Sequence, residues 1–190
     1  MPSSQQTKQL FADSMKQLMM KKPLEEISVG DIALQSGMSR NSFYYHFQDK
    51  YDLVTWIFRT ESAAYLAQAP NRDNWQEILR GLCRYFRENR AFYCNAMSYN
   101  GQNSLREYLF DTFSGVVQQH LLDGNPCALE PQDAAFAGEF FAATIVGLLE
   151  RWCARGMRED AARYEDCLTR ILSGEMLNTY LRSVSPESDQ

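Results

Sequence analysis

The segment from Ser39 to Lys50, S-R-N-S-F-Y-Y-H-F-Q-D-K, carries the chain's densest chemistry. Five consecutive rings, Phe43, Tyr44, Tyr45, His46 and Phe47, follow the guanidinium of Arg40, the amide of Asn41 and the hydroxyl of Ser42. On a helix, residues four apart share a face. Phe43 and Phe47 therefore point inward with Met38, which leaves Arg40, Asn41, Ser42, Tyr44, Tyr45 and His46 facing out. Such a face suits base-edge reading: Arg meets guanine O6 and N7, and Asn meets the adenine edge, through paired hydrogen bonds. Catalysis needs a different constellation. The chain has two histidines and no HExxH, GxSxG or Gly-rich phosphate loop, so neither an enzyme nor a cofactor is expected.

The flanking residues predict the elements that hold this segment. Thr7 to Lys21 reads as an amphipathic helix through Leu10, Met15, Leu18 and Met19, closed by Lys21, Lys22 and Pro23. Ser28 and Asp31 form a capping box that opens a second helix, and Gly37 supplies the positive φ that ends it. Ser39 then caps the helix carrying the rings. Two short helices joined by Gly-Met-Ser make a helix-turn-helix, whose second member enters the DNA major groove.

Ser28 to Leu53 resembles the DNA-binding head of the TetR/AcrR family of transcriptional regulators. The resemblance rests on capping Ser28, Asp31-Ile32-Ala33, Ser36-Gly37-Met38-Ser39, Tyr44-Tyr45-His46-Phe47, and Lys50 with Leu53. The run R-N-S-F-Y-Y-H-F-x-D-K-Y-D-L also resembles members linked to dihydroxyacetone kinase operons. Two positions depart from the pattern: Asn41 stands where many members carry Gly, and Gly30 where a better helix former is usual. The resemblance implies an all-α fold with a three-helix head over residues 1–52. A helical effector-binding and dimerisation body follows over 53–183, then a disordered tail over 184–190. It implies base contacts from Arg40, Asn41, Ser42 and Tyr45, and phosphate contacts from Tyr44, His46 and Lys50. Backbone N–H groups at the Ser28 and Ser39 caps add to the phosphate set.

Further helices are expected from Asp49, from Asn74 to Glu88, from Phe92 to Met97, from Leu105 to Leu121 with His120 in its last turn, from Pro131, and from Asp160 to Leu181. Asp123-Gly124-Asn125-Pro126 is the clearest loop. Phe136 to Leu149 carries only Glu139 as a charge, and a helix apolar nearly all round must be covered on all sides. A partner copy is the economical cover, with Phe140, Ile145, Leu148, Leu149, Trp152, Leu168, Ile171, Leu172 and Met176 as the candidate homodimer interface. The family resemblance implies a near-palindromic double-stranded operator, repression, and an unidentified small-molecule effector in the body. Its candidate lining is Tyr85, Phe92, Tyr93, Phe113, Glu139, Phe140 and Phe141. The competing reading is a helical dimer whose degenerate head serves protein contacts.

Net charge −5 is that competitor's support. Residues 1–50 hold six Lys or Arg against five Asp or Glu, however, so the head is +1 and the rest −6. Cys83, Cys94, Cys127, Cys153 and Cys167 are odd in number and widely spaced without a CxxC pair, which argues against zinc or a disulfide framework. No run reaches about 18 uncharged apolar residues, and the N-terminus lacks a secretory pattern, so no membrane partner and a cytoplasmic location are expected.

Overall fold

Local capping sets where the head's helices begin and end. The computed structural model describes residues 3–66, 75–122 and 130–184. Ser3 and Gln6 form a capping box that starts α1 (Ser4–Met19) three residues earlier than hydrophobic spacing suggested. A 3-10 turn at Leu24–Glu26 leads into α2 (Val29–Ser36). The Ser28 hydroxyl accepts the Asp31 N–H at 3.1 Å, and Asp31 accepts the Ser28 N–H at 2.8 Å. Gly37 closes α2 at φ 68°, and the Ser39 side chain caps α3 (Arg40–His46) by accepting the Ser42 N–H at 3.0 Å. Asp49 opens α4 (Lys50–Leu66), its carboxylate accepting the N–H groups of Tyr51 and Asp52 at 2.8 Å.

Three short helices hold together through one aromatic cluster. Phe11 of α1 meets Phe43 edge-on at 5.3 Å and Phe47 at 6.3 Å, and Phe47 meets Trp56 of α4 at 5.8 Å. Met15, Leu24, Ile27, Ile32 and Leu53 close around it. α4 then runs into the body, where Phe58 packs edge-on against Phe86, Tyr93 and Tyr108. Those rings belong to α5 (Trp75–Glu88), α6 (Arg90–Ser98) and α7 (Leu105–Leu122). One helix thus has its first turns in the head's core and its middle in the body's core.

The body is completed by α8 (Pro131–Ala154), α9 (Ala161–Leu172) and α10 (Glu175–Val184). The stretch expected as one helix from Asp160 is therefore two, divided at Ser173–Gly174, where Gly174 has φ 79°. α10 also extends into the first residue of the expected tail. The Asp123–Pro126 loop, Cys127 and residues 185–190 lie outside the described residues, as do the side chains of His120 and Leu172.

α8 turns its small residues inward. Its small residues Ala134, Gly138 and Ala142 are buried, and a Cβ at Gly138 would stand 2.7 Å from the Ser114 carbonyl of α7. The large rings face away: Phe136 is 72% exposed and Phe140 59%. By length and composition alone α8 could cross a membrane, but it carries Glu139 within its most apolar stretch and lies along α7. Only 28% of its most apolar window is buried. Three candidate interface residues are used inside the protomer. Leu149, Trp152 and Leu168 are buried, with Trp152 stacked on Tyr164 of α9 at 4.4 Å and 10°. Ile145, Leu148 and Met176 are half-buried, whereas Ile171 joins Phe140 at the surface.

Candidate DNA-binding interface

A seven-residue helix is marginal by itself in water, so α3 is held by what it buries. Phe43 is fully buried, Phe47 nearly so, and Met38 packs half-buried against the same cluster. With those side chains inside, the others face out in the arrangement expected. Tyr44 is 58% and Tyr45 84% exposed, Arg40, Asn41 and Ser39 are exposed, and Ser42 is half-buried. Two tyrosines thus stand exposed beside a guanidinium and an amide on one face.

Gly30 lies under the Arg40 side chain. A Cβ at this position would lie 2.2 Å from Arg40 Nη2, so the guanidinium rests across the first turn of α2 where any larger residue would displace it.

Three expected phosphate contacts change character. Lys50 Nζ donates to the carbonyls of Leu24, Glu25 and Ile27 at 2.8, 2.9 and 2.8 Å. An ammonium has three protons, and all are spent clamping the 3-10 turn and the entry to α2. His46 is half-buried and its ring meets Tyr45 edge-on at 4.9 Å. Burial, then the nearby Lys8 cation, hold its pKa below the usual histidine value, so the neutral imidazole is favoured at pH 7. The N–H of Ser28 is taken by Asp31, whose carboxyl the Ser28 backbone bond and Lys22 hold down to about 2.

The head is tied to the body first by Asn95, a residue that the sequence did not single out. Asn95 of α6 accepts the Leu24 N–H at 2.7 Å and donates to the Met19 and Lys22 carbonyls at 2.8 Å. One amide thereby holds the link between α1 and α2 from the body side, opposite the Lys50 clamp. Beside it, Tyr93 donates to the Tyr85 hydroxyl at 2.8 Å, Tyr85 donates to Glu61, and Glu61 accepts from Lys16 of α1 at 2.8 Å. This chain of polar groups joins α6, α5, α4 and α1. Tyr51 of α4 also stacks on Tyr99, just past α6, at 4.3 Å.

Comparison with known proteins places this arrangement. Residues 13–55 match the family described as bacterial regulatory proteins, tetR family. Residues 73–174, more than half the chain, match the transcriptional regulator C-terminal region of the same family. The chain belongs to the tetR family. It is accordingly an all-helical DNA-binding transcriptional regulator, and not an enzyme. A curated relative, the HTH-type dhaKLM operon transcriptional activator DhaS of Lactococcus lactis subsp. lactis (strain IL1403), is 34% identical over 87 residues. That match spans 46% of this chain and 46% of the relative, about half the length of each.

Solved tetR-like folds superpose over most of the molecule. The dihydroxyacetone kinase operon activator DhaS aligns with TM-score 0.65 at 22% identity, covering 89% of this chain and 95% of its own. A TetR transcriptional regulator from Rhodococcus sp. RHA1 aligns with TM-score 0.60 at 14% identity, covering 90% and 97%. NalD, the secondary repressor of the MexAB-OprM multidrug efflux pump in Pseudomonas aeruginosa, aligns with TM-score 0.59 at 16% identity, covering 87% and 94%.

Regulators of this family act as dimers with small-molecule effectors, and the candidate lining residues can be placed in that light. They do not converge on one open space. Tyr85, Phe92 and Tyr93 are buried in the closed core with Phe58 and Phe86, and Phe113 is half-buried against it. Glu139 and Phe140 are exposed on α8, with Phe141 half-buried beside Phe140 at 5.6 Å. A cleft of about 320 Å³ lies instead where the start of α4 meets α7, lined by Asp49, Asp52, Asn103, Glu107 and Asp111 among others. No residue expected to hold an effector borders it.

Proposed function

We propose that two copies of this chain bind a near-palindromic double-stranded DNA site, each inserting α3 into a major groove. Arg40, Asn41, Ser42 and Tyr45 read base edges, and Tyr44 contacts phosphate beside the first-turn N–H groups of α2 and α3. Lys50 and Asn95 act as positioning residues that set the angle of the head. What carries this reading is the outward face of α3, where exposed Arg40, Asn41, Tyr44 and Tyr45 flank a helix whose two phenylalanines are spent on packing. The exposed rings on α8 give the second copy its seat, since burying a phenylalanine stabilises an association by about 1.5–3 kcal/mol.

An effector acts through the body by favouring one of two arrangements, and it shifts the balance only by its difference in affinity for them. A ligand polar group that competed for the Tyr85 or Tyr93 hydroxyl would part the chain leading to Lys16, and with it one tie between body and head. Repression is the expected outcome where the bound site overlaps a promoter.

Arg40→Ala tests the division of roles. It should weaken binding by about 1–3 kcal/mol and relax preference at one base pair. Lys50→Ala should instead lower the melting temperature and weaken matched and scrambled duplexes alike. Measured by fluorescence anisotropy on single-base-pair variants, an Arg40→Ala protein with unaltered sequence preference would remove Arg40 from base reading. A degenerate head predicts that neither substitution changes DNA binding.

A further inference from the structure

Glycine weakens a helix relative to alanine, and α2 carries one at its second residue, Gly30. The backbone there does not require it. Gly30 is helical with negative φ, unlike Gly37, which closes the same helix at φ 68°. A Cβ at Gly30 would meet side chain only: its three nearest atoms are Arg40 Nη2 at 2.2 Å and Arg40 Cζ and Nε at 3.0 Å. Gly138 offers the contrast, because its nearest atom is the Ser114 backbone carbonyl oxygen, which cannot yield. At Gly30 the group that yields is the guanidinium. We propose that Gly30 is a positioning residue for DNA recognition, its bare Cα forming the seat that sets where the Arg40 guanidinium stands to read a base pair. This role rests on base reading by Arg40, and it places control of that reading on α2, a helix to which no base contact is assigned.

The seat acts before DNA arrives. Ser39 caps α3 by accepting the Ser42 N–H at 3.0 Å, which fixes the backbone from which Arg40 projects. The long side chain beyond it is exposed, and an arginine free in solvent surrenders rotamer freedom when it binds. Resting on α2 removes part of that freedom in advance. The guanidinium is also unspent in this position. Among the described residues no carboxylate pairs with it and no hydrogen bond ties it. Its five N–H donors are therefore kept for DNA. Paired hydrogen bonds to guanine O6 and N7 need both donors within about 2.7–3.2 Å of their acceptors. An alanine methyl at position 30 would push Nη2 from 2.2 Å to an ordinary contact of at least 3.4 Å, which takes both bonds out of register.

The test compares wild type, Gly30→Ala, Arg40→Ala and the double variant by fluorescence anisotropy on a duplex from upstream of the protein's own gene and on its single-base-pair variants. Arg40→Ala should relax preference at one base pair by roughly 5- to 150-fold. Gly30→Ala should relax it at that same pair by at least about fivefold while melting no lower than wild type, since alanine is the better helix former. In the Arg40→Ala background it should add nothing. In the free protein, a nuclear Overhauser contact between Arg40 Hε and Gly30 Hα reports the seat without DNA. Wild-type preference in Gly30→Ala, a lowered melting temperature, or absence of that contact would overturn the seat. An equal loss in the Arg40→Ala background would do the same, because the methyl would then be meeting DNA itself. Unaltered preference in Arg40→Ala would instead remove the base reading on which the seat depends, so the two failures are distinguishable.

Discussion

Phe43→Ala is expected to cost the head about 3–5 kcal/mol of stability, in the range for a fully buried phenylalanine. Phe43 has no exposed surface, meets Phe11 at 5.3 Å and Phe47 at 5.6 Å, and is the wedge by which α3 is fixed on α1. A native domain has only about 5–15 kcal/mol in all, so the head should melt separately from, and below, the body. Chemical denaturation followed by far-UV circular dichroism checks this. Tyr45→Ala is the control: at 84% exposure it should change stability by less than about 0.5 kcal/mol while impairing DNA binding. If both variants unfold with the wild type, the inward and outward faces of α3 have been assigned wrongly.

Phe140→Asp should convert the protein to monomers and weaken operator binding by about 100-fold or more, because two linked heads gain from effective concentration what one head lacks. The residue is well chosen for the purpose. It is 59% exposed in the protomer, so a carboxylate there leaves the protomer's own core untouched while placing a charge in the proposed dimer seam. Leu149 or Trp152, both buried within the protomer, would unfold the chain and report nothing about association. Sedimentation velocity on Phe140→Asp and wild type decides the point. A variant that sediments as the wild-type dimer would move the interface off this face of α8.

What could be read from the sequence was local in the chain. The Ser28–Asp31 box, the Gly37 stop and the Ser39 cap each involve residues within three positions of their partners, and all appear as expected. The inward pair Phe43 and Phe47 follows from helical period alone. What failed was long-range. Lys50 binds carbonyls 23 to 26 residues away, and Asn95 reaches backbone 71 to 76 residues away. No periodicity signals such pairings, so Lys50 was assigned to phosphate and Asn95 was missed. In α8 the difficulty was different. A helix apolar on every side gives no moment to orient it, and the small residues went to the tight contact with α7 while the rings went outward.

The most direct test of the account titrates the protein into fluorescent duplex DNA from upstream of its own gene, beside a scrambled duplex, at two salt concentrations. The account predicts binding to the upstream duplex at least about 10³-fold tighter than to the scrambled one. Both affinities should fall as salt rises, along a straight line in logarithms whose slope counts the phosphates neutralised. Equal affinity for the two duplexes, or no binding at low salt, would contradict it.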